Sequence, residues 1–241
     1  MKHKHFLILL LAAGFVALLT LSCGEVGYPS IDTSAHVRLL NAMIREGSDT
    51  VSCYVSLDGQ PVAWDESRQI GSTSPRRWVA GRHRIQLTDR PAGVQGARVL
   101  LSADIQIDQF RYYTCVLTGE IPDSGADSTA TALLVADDLY RVPGHVGIRL
   151  VNAGIPFDSC RLISGSDPDT LIAGPIGHLQ STGYVTLPPG DYQISVCQSA
   201  DTFHLVVGST TTCSFTAYYI GAPKYTQLPR APHGVFLIDT P

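Results

Sequence analysis

Helical periodicity is almost missing from this chain beyond its first two dozen residues, so a helix bundle or a doubly wound α/β fold is excluded from the start. Basic charge is also short: 17 Lys and Arg stand against 21 Asp and Glu, a formal net charge of -4. Such a surface does not suit nucleic acid as the main partner, because phosphate neutralisation requires an excess of cations. Downstream of Cys23 there is no Cys-x-x-Cys and no histidine pair at ligand spacing, so neither zinc nor any other metal or cofactor is expected. A Gly-x-Ser-x-Gly elbow, which would expose a nucleophilic serine on a strand-to-helix turn, is absent. No later segment is long and apolar enough to span a membrane, which takes roughly 20 residues in a helix.

What is present begins with an export pattern. Lys2 and Lys4 give a positive start, Phe6 to Leu21 is almost wholly apolar, and the run closes on Thr20-Leu21-Ser22-Cys23-Gly24. This ending resembles the lipobox of bacterial lipoproteins. The resemblance implies a signal peptide over 1–22, lipidation of Cys23, a tether over 23–34, and a location in the bacterial cell envelope. Thr20 departs from the aliphatic residue usual at that place. Loss of Lys2 and Lys4 with the signal makes the remaining chain two units more acidic.

The second feature is a repeat. His36-Val37-Arg38-Leu39-Leu40-Asn41-Ala42 returns as Gly147-Ile148-Arg149-Leu150-Val151-Asn152-Ala153 about 110 residues later, the mark of a duplicated domain. Further matches follow in order: Gly81 with Gly190, Thr114 with Thr216, Gly119 with Gly221, and Leu134 to Asp137 with Phe236 to Asp239. The separation shortens along the chain, so the second copy has lost residues from loops. Between the turns, residues alternate as in half-buried strands; Val99, Leu101, Ala103, Ile105 and Ile107 are expected on one face. Asp58-Gly59, Pro188-Pro189-Gly190 and Gly221-Ala222-Pro223 mark turns. The fold class is therefore all-β: two tandem antiparallel β-sandwich domains over 35–141 and 142–241, joined by a short proline-containing linker that restricts their orientation.

The segments Val37 to Ala42, Tyr54-Val55-Ser56-Leu57-Asp58-Gly59 and Ala80-Gly81, with Ile148 to Ala153 and Tyr184 to Ile194 in the second copy, resemble the bacterial family "domain of unknown function 4397". The resemblance covers nearly all of the chain beyond the signal and implies tandem immunoglobulin-like sandwiches in an exported protein. It implies no catalytic residues. The second copy departs from the pattern at Cys160 to Gly165, where the strand and Asp-Gly turn are blurred.

Candidate sites are few. Beyond Cys23 the chain has Cys53, Cys115, Cys160, Cys197 and Cys213; Cys197 and Cys213 flank a short segment and form a candidate disulfide across neighbouring strands. Ser166 reads as a loop serine, and Asp137-Asp138 and Asp167-Pro168-Asp169 read as turn acids. The oxygen-rich stretch Asp123 to Ser128 is of a kind that suits calcium, but its spacing is not that of an EF-hand and it reads first as a polar loop. The most asymmetric feature is basic: Arg76, Arg77, Trp78, Arg82 and Arg84, where the second copy has Asp191 and Gln193 in place of Arg82 and Arg84. Arginine beside an aromatic can hold carboxylates, phosphates or sugars, so these five residues form the candidate contact surface. The expectation is a lipid-anchored, non-enzymatic binding or scaffolding protein that contacts the membrane through its anchor and an envelope protein or glycan through this surface. A carbohydrate-binding accessory of an uptake system and an envelope hydrolase are the alternatives.

Overall fold

The computed structural model describes residues 33–45, 53–62, 71–72, 75–91, 94–122, 128–137, 142–155, 159–164, 171–196, 202–207, 213–221 and 233–238. Among these there is no helix. The first half of the chain supplies β1 (Ala35–Arg45), β2 (Tyr54–Leu57), β3 (Gln60–Pro61), β4 (Gly71–Ser72), β5 (Arg76–Trp78), β6 (Gly81–Thr88), β7 (Val99–Ile107), β8 (Tyr112–Ile121) and β9 (Thr131–Asp137). The second supplies β10 (Val146–Asn152), β11 (Cys160–Ser164), β12 (Leu171–Ile176), β13 (Val185–Leu187), β14 (Gly190–Val196), β15 (Thr202–Val207), β16 (Cys213–Ile220) and β17 (His233–Ile238).

Each half builds two sheets from its own strands. In the first half these run β4-β1-β8-β9, with β5 also paired to β1, and β3-β2-β6-β7. In the second they run β13-β10-β16-β17 and β12-β11-β14-β15. The halves share a plan: Trp78 of β5 lies opposite Ala35, and Leu187 of β13 lies opposite Val146. One pairing in each half is parallel, β1 with β8 and β10 with β16, while the other named pairs are antiparallel. A parallel pair requires a crossover. Here the crossover includes the whole opposite sheet, together with β4 and β5 in the first half and β13 in the second, which pair with the first strand.

Three apolar clusters hold these sheets in four layers. Val37, Leu39, Ile85, Leu87, Ile107 and Leu117 fill the space between the two sheets of the first half. Ile148, Leu150, Leu162, Ala217 and Tyr219 do the same in the second. The third cluster joins the halves: Leu40, Ala42, Val116 and Val135 from one meet Val151, Ala153, Tyr218 and Ile220 from the other. Consecutive residues of a strand face opposite ways. Leu39 and Leu40 therefore serve two different cores, and so do Leu150 and Val151. A fully buried Leu, Val or Ile contributes about 1.5–3 kcal/mol relative to exposure. The shared layer is thus large beside the ~5–15 kcal/mol net stability of a typical domain. Packing, more than the linker, fixes how the halves meet.

The same layer is polar at one end. Asp137, only 7 % exposed, receives a hydrogen bond from Thr114 Oγ1 at 2.8 Å and one from Arg149 at 2.7 Å, and Arg38 lies 3.4 Å away. Arg149 also donates to Thr216 Oγ1 and to the Ala136 carbonyl. Arg38 donates to Thr114 Oγ1 at 2.6 Å. At the other end Thr118 Oγ1 donates to the Ala153 carbonyl. Burial of charge is tolerable only with such pairing.

Local geometry adjusts one sequence expectation and meets another. The register between β6 and β7 shifts between Leu87 and Thr88, where Leu101 and Val99 are their partners. The bulge leaves Leu100 buried at 6 % exposure and turns Val99 out at 52 %, so Val99 does not share the face of Leu101 and Ile105. Between β2 and β3 the turn residues Asp58 and Gly59 have φ of 50° and 78°, the backbone that a two-residue hairpin needs.

Candidate functional site

The hairpin turn at Asp58-Gly59 brings β3 beside the connection from β5 to β6, and an open groove of about 510 Å³ lies between them. Its lining combines Asp58, Gln60, Arg76, Arg77, Val79 and His83 with the apolar Leu57, Pro61, Val62 and Trp78. Arg76 and Arg77 are exposed on the edge strand β5, opposite Val37 and His36. The equivalent residues of β13 are Val185 and Thr186. Pairing with the first strand of each half therefore does not depend on these arginines.

His83 is held from both sides. Its Nδ1 lies 2.7 Å from Asp58 Oδ2, and its Nε2 lies 2.8 Å from the Val79 carbonyl. The Asp58 carboxyl is held below its ordinary range by the backbone N–H of Arg84, 2.8 Å from Oδ1, and then by His83. Both ring nitrogens of His83 are thus engaged by protein oxygens. Among the described lining residues none is Ser, Thr or Cys. Two guanidinium groups above an apolar wall suit an anionic group.

The structure divides the sequence-predicted surface. Arg82 and Arg84 do not line the groove: they lie on the outer face of β6 and donate to the two oxygens of Asp104 on β7, at 2.7 and 2.9 Å. These contacts hold the Asp104 carboxyl low, Arg84 contributing more than Arg82. Trp78 is a correction. Its side chain is 5 % exposed and belongs to the core of the first half, because the alternation of β5 turns it inward beside Ala35 and Val37. It offers no stacking platform for a sugar.

Other candidates are dispersed. Cys23, Cys197, Ser166, Asp138, Asp167, Asp169 and residues 123–127 lie outside the described residues. Cys213 opens β16. Cys53 and Cys160 occupy matching places in the two sandwich cores. Cys115 is fully buried in β8 and burial pushes its thiol up to about 12. Asp137, read as a turn acid, is instead the buried carboxylate between the halves.

No protein-family model matches the sequence, and no curated protein matches it either. Among solved structures, the chain is similar at 10% identity and a TM-score of 0.23 to the Bacillus anthracis TIE protein, over 86% of this chain and 44% of that one. It thus spans less than half of that protein. A "putative cell adhesion protein" of Bacteroides fragilis aligns at 8% identity and TM-score 0.21, over 85% of this chain and 98% of the other. One from Bacteroides eggerthii, described in the same words, aligns at 9% identity and TM-score 0.20, over 88% and 98%. Similarity at this level carries no argument about function.

Proposed function

We propose that this chain is a lipid-anchored protein of the bacterial cell envelope, whose two β-sandwich modules form one non-catalytic binding or scaffolding unit, and that the groove beside Arg76 and Arg77 is where it binds. The observation that carries the reading is the asymmetry between halves that otherwise repeat each other. Both solve the same packing problem with Trp78 or Leu187 under the first strand, yet where the second half has Val185 and Thr186 the first has two exposed arginines, beside a carboxylate-held histidine and a groove. The ligand class that fits is a carboxylate- or phosphate-bearing envelope component.

Anchoring is supported by the apolar run that ends at Cys23. Metabolic labelling with palmitate tests it: label should enter the parent and be lost in Cys23→Ser. For the groove, the second half supplies the control substitutions. Arg76→Val with Arg77→Thr should leave the melting temperature unchanged and abolish the crosslinked species that the parent gives in intact cells. A crosslinking pattern identical in parent and variant would refute the groove as the binding site.

A further inference from the structure

We propose that the end of the first half at which the chain enters β1 is a membrane-facing surface that seats at the lipid headgroup boundary. The inference rests on the anchoring reading above but adds a contact that anchoring does not require.

Register brings the parts of this end together. Trp78 lies opposite Ala35 and Gly81 opposite Ile107, so the connection Val79-Ala80 sits where β1 begins and β7 ends. Tyr112 lies opposite His36, so the connection from Asp108 to Arg111 sits there too. Two hydrogen bonds tie that connection to the incoming chain: Phe110 N donates to the Ser34 carbonyl at 3.3 Å, and His36 N to the Arg111 carbonyl at 2.8 Å. The rings of His36 and Tyr112 stack with centroids 4.7 Å apart.

From this end the two most exposed large apolar side chains of the described residues project, Val79 at 70 % and Phe110 at 62 %. Phe110 is held at φ 60°, a left-handed backbone that bulky residues rarely adopt. Local strain that leaves an aromatic side chain in water points to a contact made by that side chain. Arg77 comes two residues before Val79 and Arg111 follows Phe110, while Arg82 is paired with Asp104, and Asp108 and Asp58 are the other nearby acids. An exposed apolar tip flanked by side chains of both signs is a composition that inserts at a headgroup boundary. Geometry supplies the proximity: residues 24–34 cannot carry Ser34 further than about 40 Å from a lipidated Cys23. The tether raises the local concentration of this end at the bilayer, so even a weak contact is occupied.

The test uses the full chain, reconstituted from detergent into phosphatidylcholine vesicles with or without phosphatidylglycerol. Three single-cysteine reporters are compared, Val79→Cys, Phe110→Cys and Val99→Cys, with the parent chain as background for native thiols. Val99 is a matched control: it is an exposed valine, but it pairs with Thr88 at the far end of the sandwich. On the vesicles a membrane-impermeant maleimide should label positions 79 and 110 at least roughly fivefold more slowly than in detergent, with position 99 unchanged. Equal labelling at all three positions would overturn the proposal. Acyl label on Cys23 is scored in the same sample. Acylation with fast reaction at 79 and 110 refutes the surface and leaves the anchor. Protection without acylation refutes the anchor and leaves the surface, and loss of both refutes both.

Discussion

Asp137→Asn isolates the charge that joins the two halves. The substitution keeps the shape and one oxygen, so no cavity is created, yet it removes the carboxylate that receives Arg149 at 2.7 Å and stands 3.4 Å from Arg38. At an effective dielectric of about 20, two unit charges about 4 Å apart interact by ~4 kcal/mol. Breaking a buried ion pair by removing one partner costs about 3–5 kcal/mol, because the other charge stays buried. A chain of this size loses ~2–4 °C of melting temperature per kcal/mol, so the midpoint should fall by roughly 6–20 °C. Thermal and urea unfolding followed by circular dichroism measure the loss. A double-mutant cycle with Arg149→Met separates the inter-half term, and the two substitutions should couple by more than about 1 kcal/mol. If the melting temperature moves by less than about 2 °C, or the two losses simply add, the charges are not coupled across the layer and the argument for a single packed unit loses its polar half.

Three further perturbations test separate parts of the structure. Gly119→Ala should abolish folding or cost more than about 3 kcal/mol, since φ is 126° and a Cβ would stand 2.4 Å from Ala130 Cα; Gly59→Ala, at φ 78° with nothing within 4 Å, should cost only about 1 kcal/mol, as read by denaturant midpoints. Cys115 should resist iodoacetamide at pH 8 in the folded protein and react only on unfolding, followed by mass spectrometry of its peptide; alkylation at native rates equal to those in urea contradicts its burial. Asp58 has its folded pKa below the ordinary 3.8, so its stabilisation is complete above that value and is lost as pH falls through the lowered folded one. The stability gap between the parent and Asp58→Asn should therefore be constant near neutrality, narrow below pH 3.8 and close once both states are protonated; a gap that widens on acidification contradicts the assigned partners.

Strand identity and duplication were legible because alternation and turn residues are local signals. Thr114 and Thr216 do occupy the same place, each receiving the arginine of its own half, and Gly119 and Gly221 both need positive φ, at 126° and 100°. The back-to-back packing was harder to read. An arginine in an alternating strand normally signals a solvent face, so Arg38 and Arg149 looked ordinary. The available clue was Leu39-Leu40 and Leu150-Val151: two adjacent apolar residues at the same place in both copies demand two buried faces. Strand β12 escaped notice because Gly174-Pro175 interrupts it. Proline is tolerated there because β12 is an edge strand whose pairing with β11 shifts register. The Asp104 partner of Arg82 and Arg84 lies on the next strand, and only the pairing register reveals it.

The repeat also limits where specificity can reside. Residues that recur in both halves are accounted for by packing: Val37 with Ile148 and Leu39 with Leu150 line the sandwich cores, Arg38 with Arg149 and Leu40 with Val151 line the layer between halves. Asn41 and Asn152 each accept, through Oδ1, the backbone N–H two residues on. Selection for these layers explains the longest stretch of the repeat without reference to any ligand. Charges that occur once have no such explanation. Of these, Arg82 and Arg84 satisfy a single carboxylate across the sheet, an exposed arrangement that contributes little to stability. Arg76 and Arg77 stand where the second half manages with Val185 and Thr186. They line the groove close to the end that carries Val79 and Phe110. Among the described residues the two copies keep the four layers and differ at this groove.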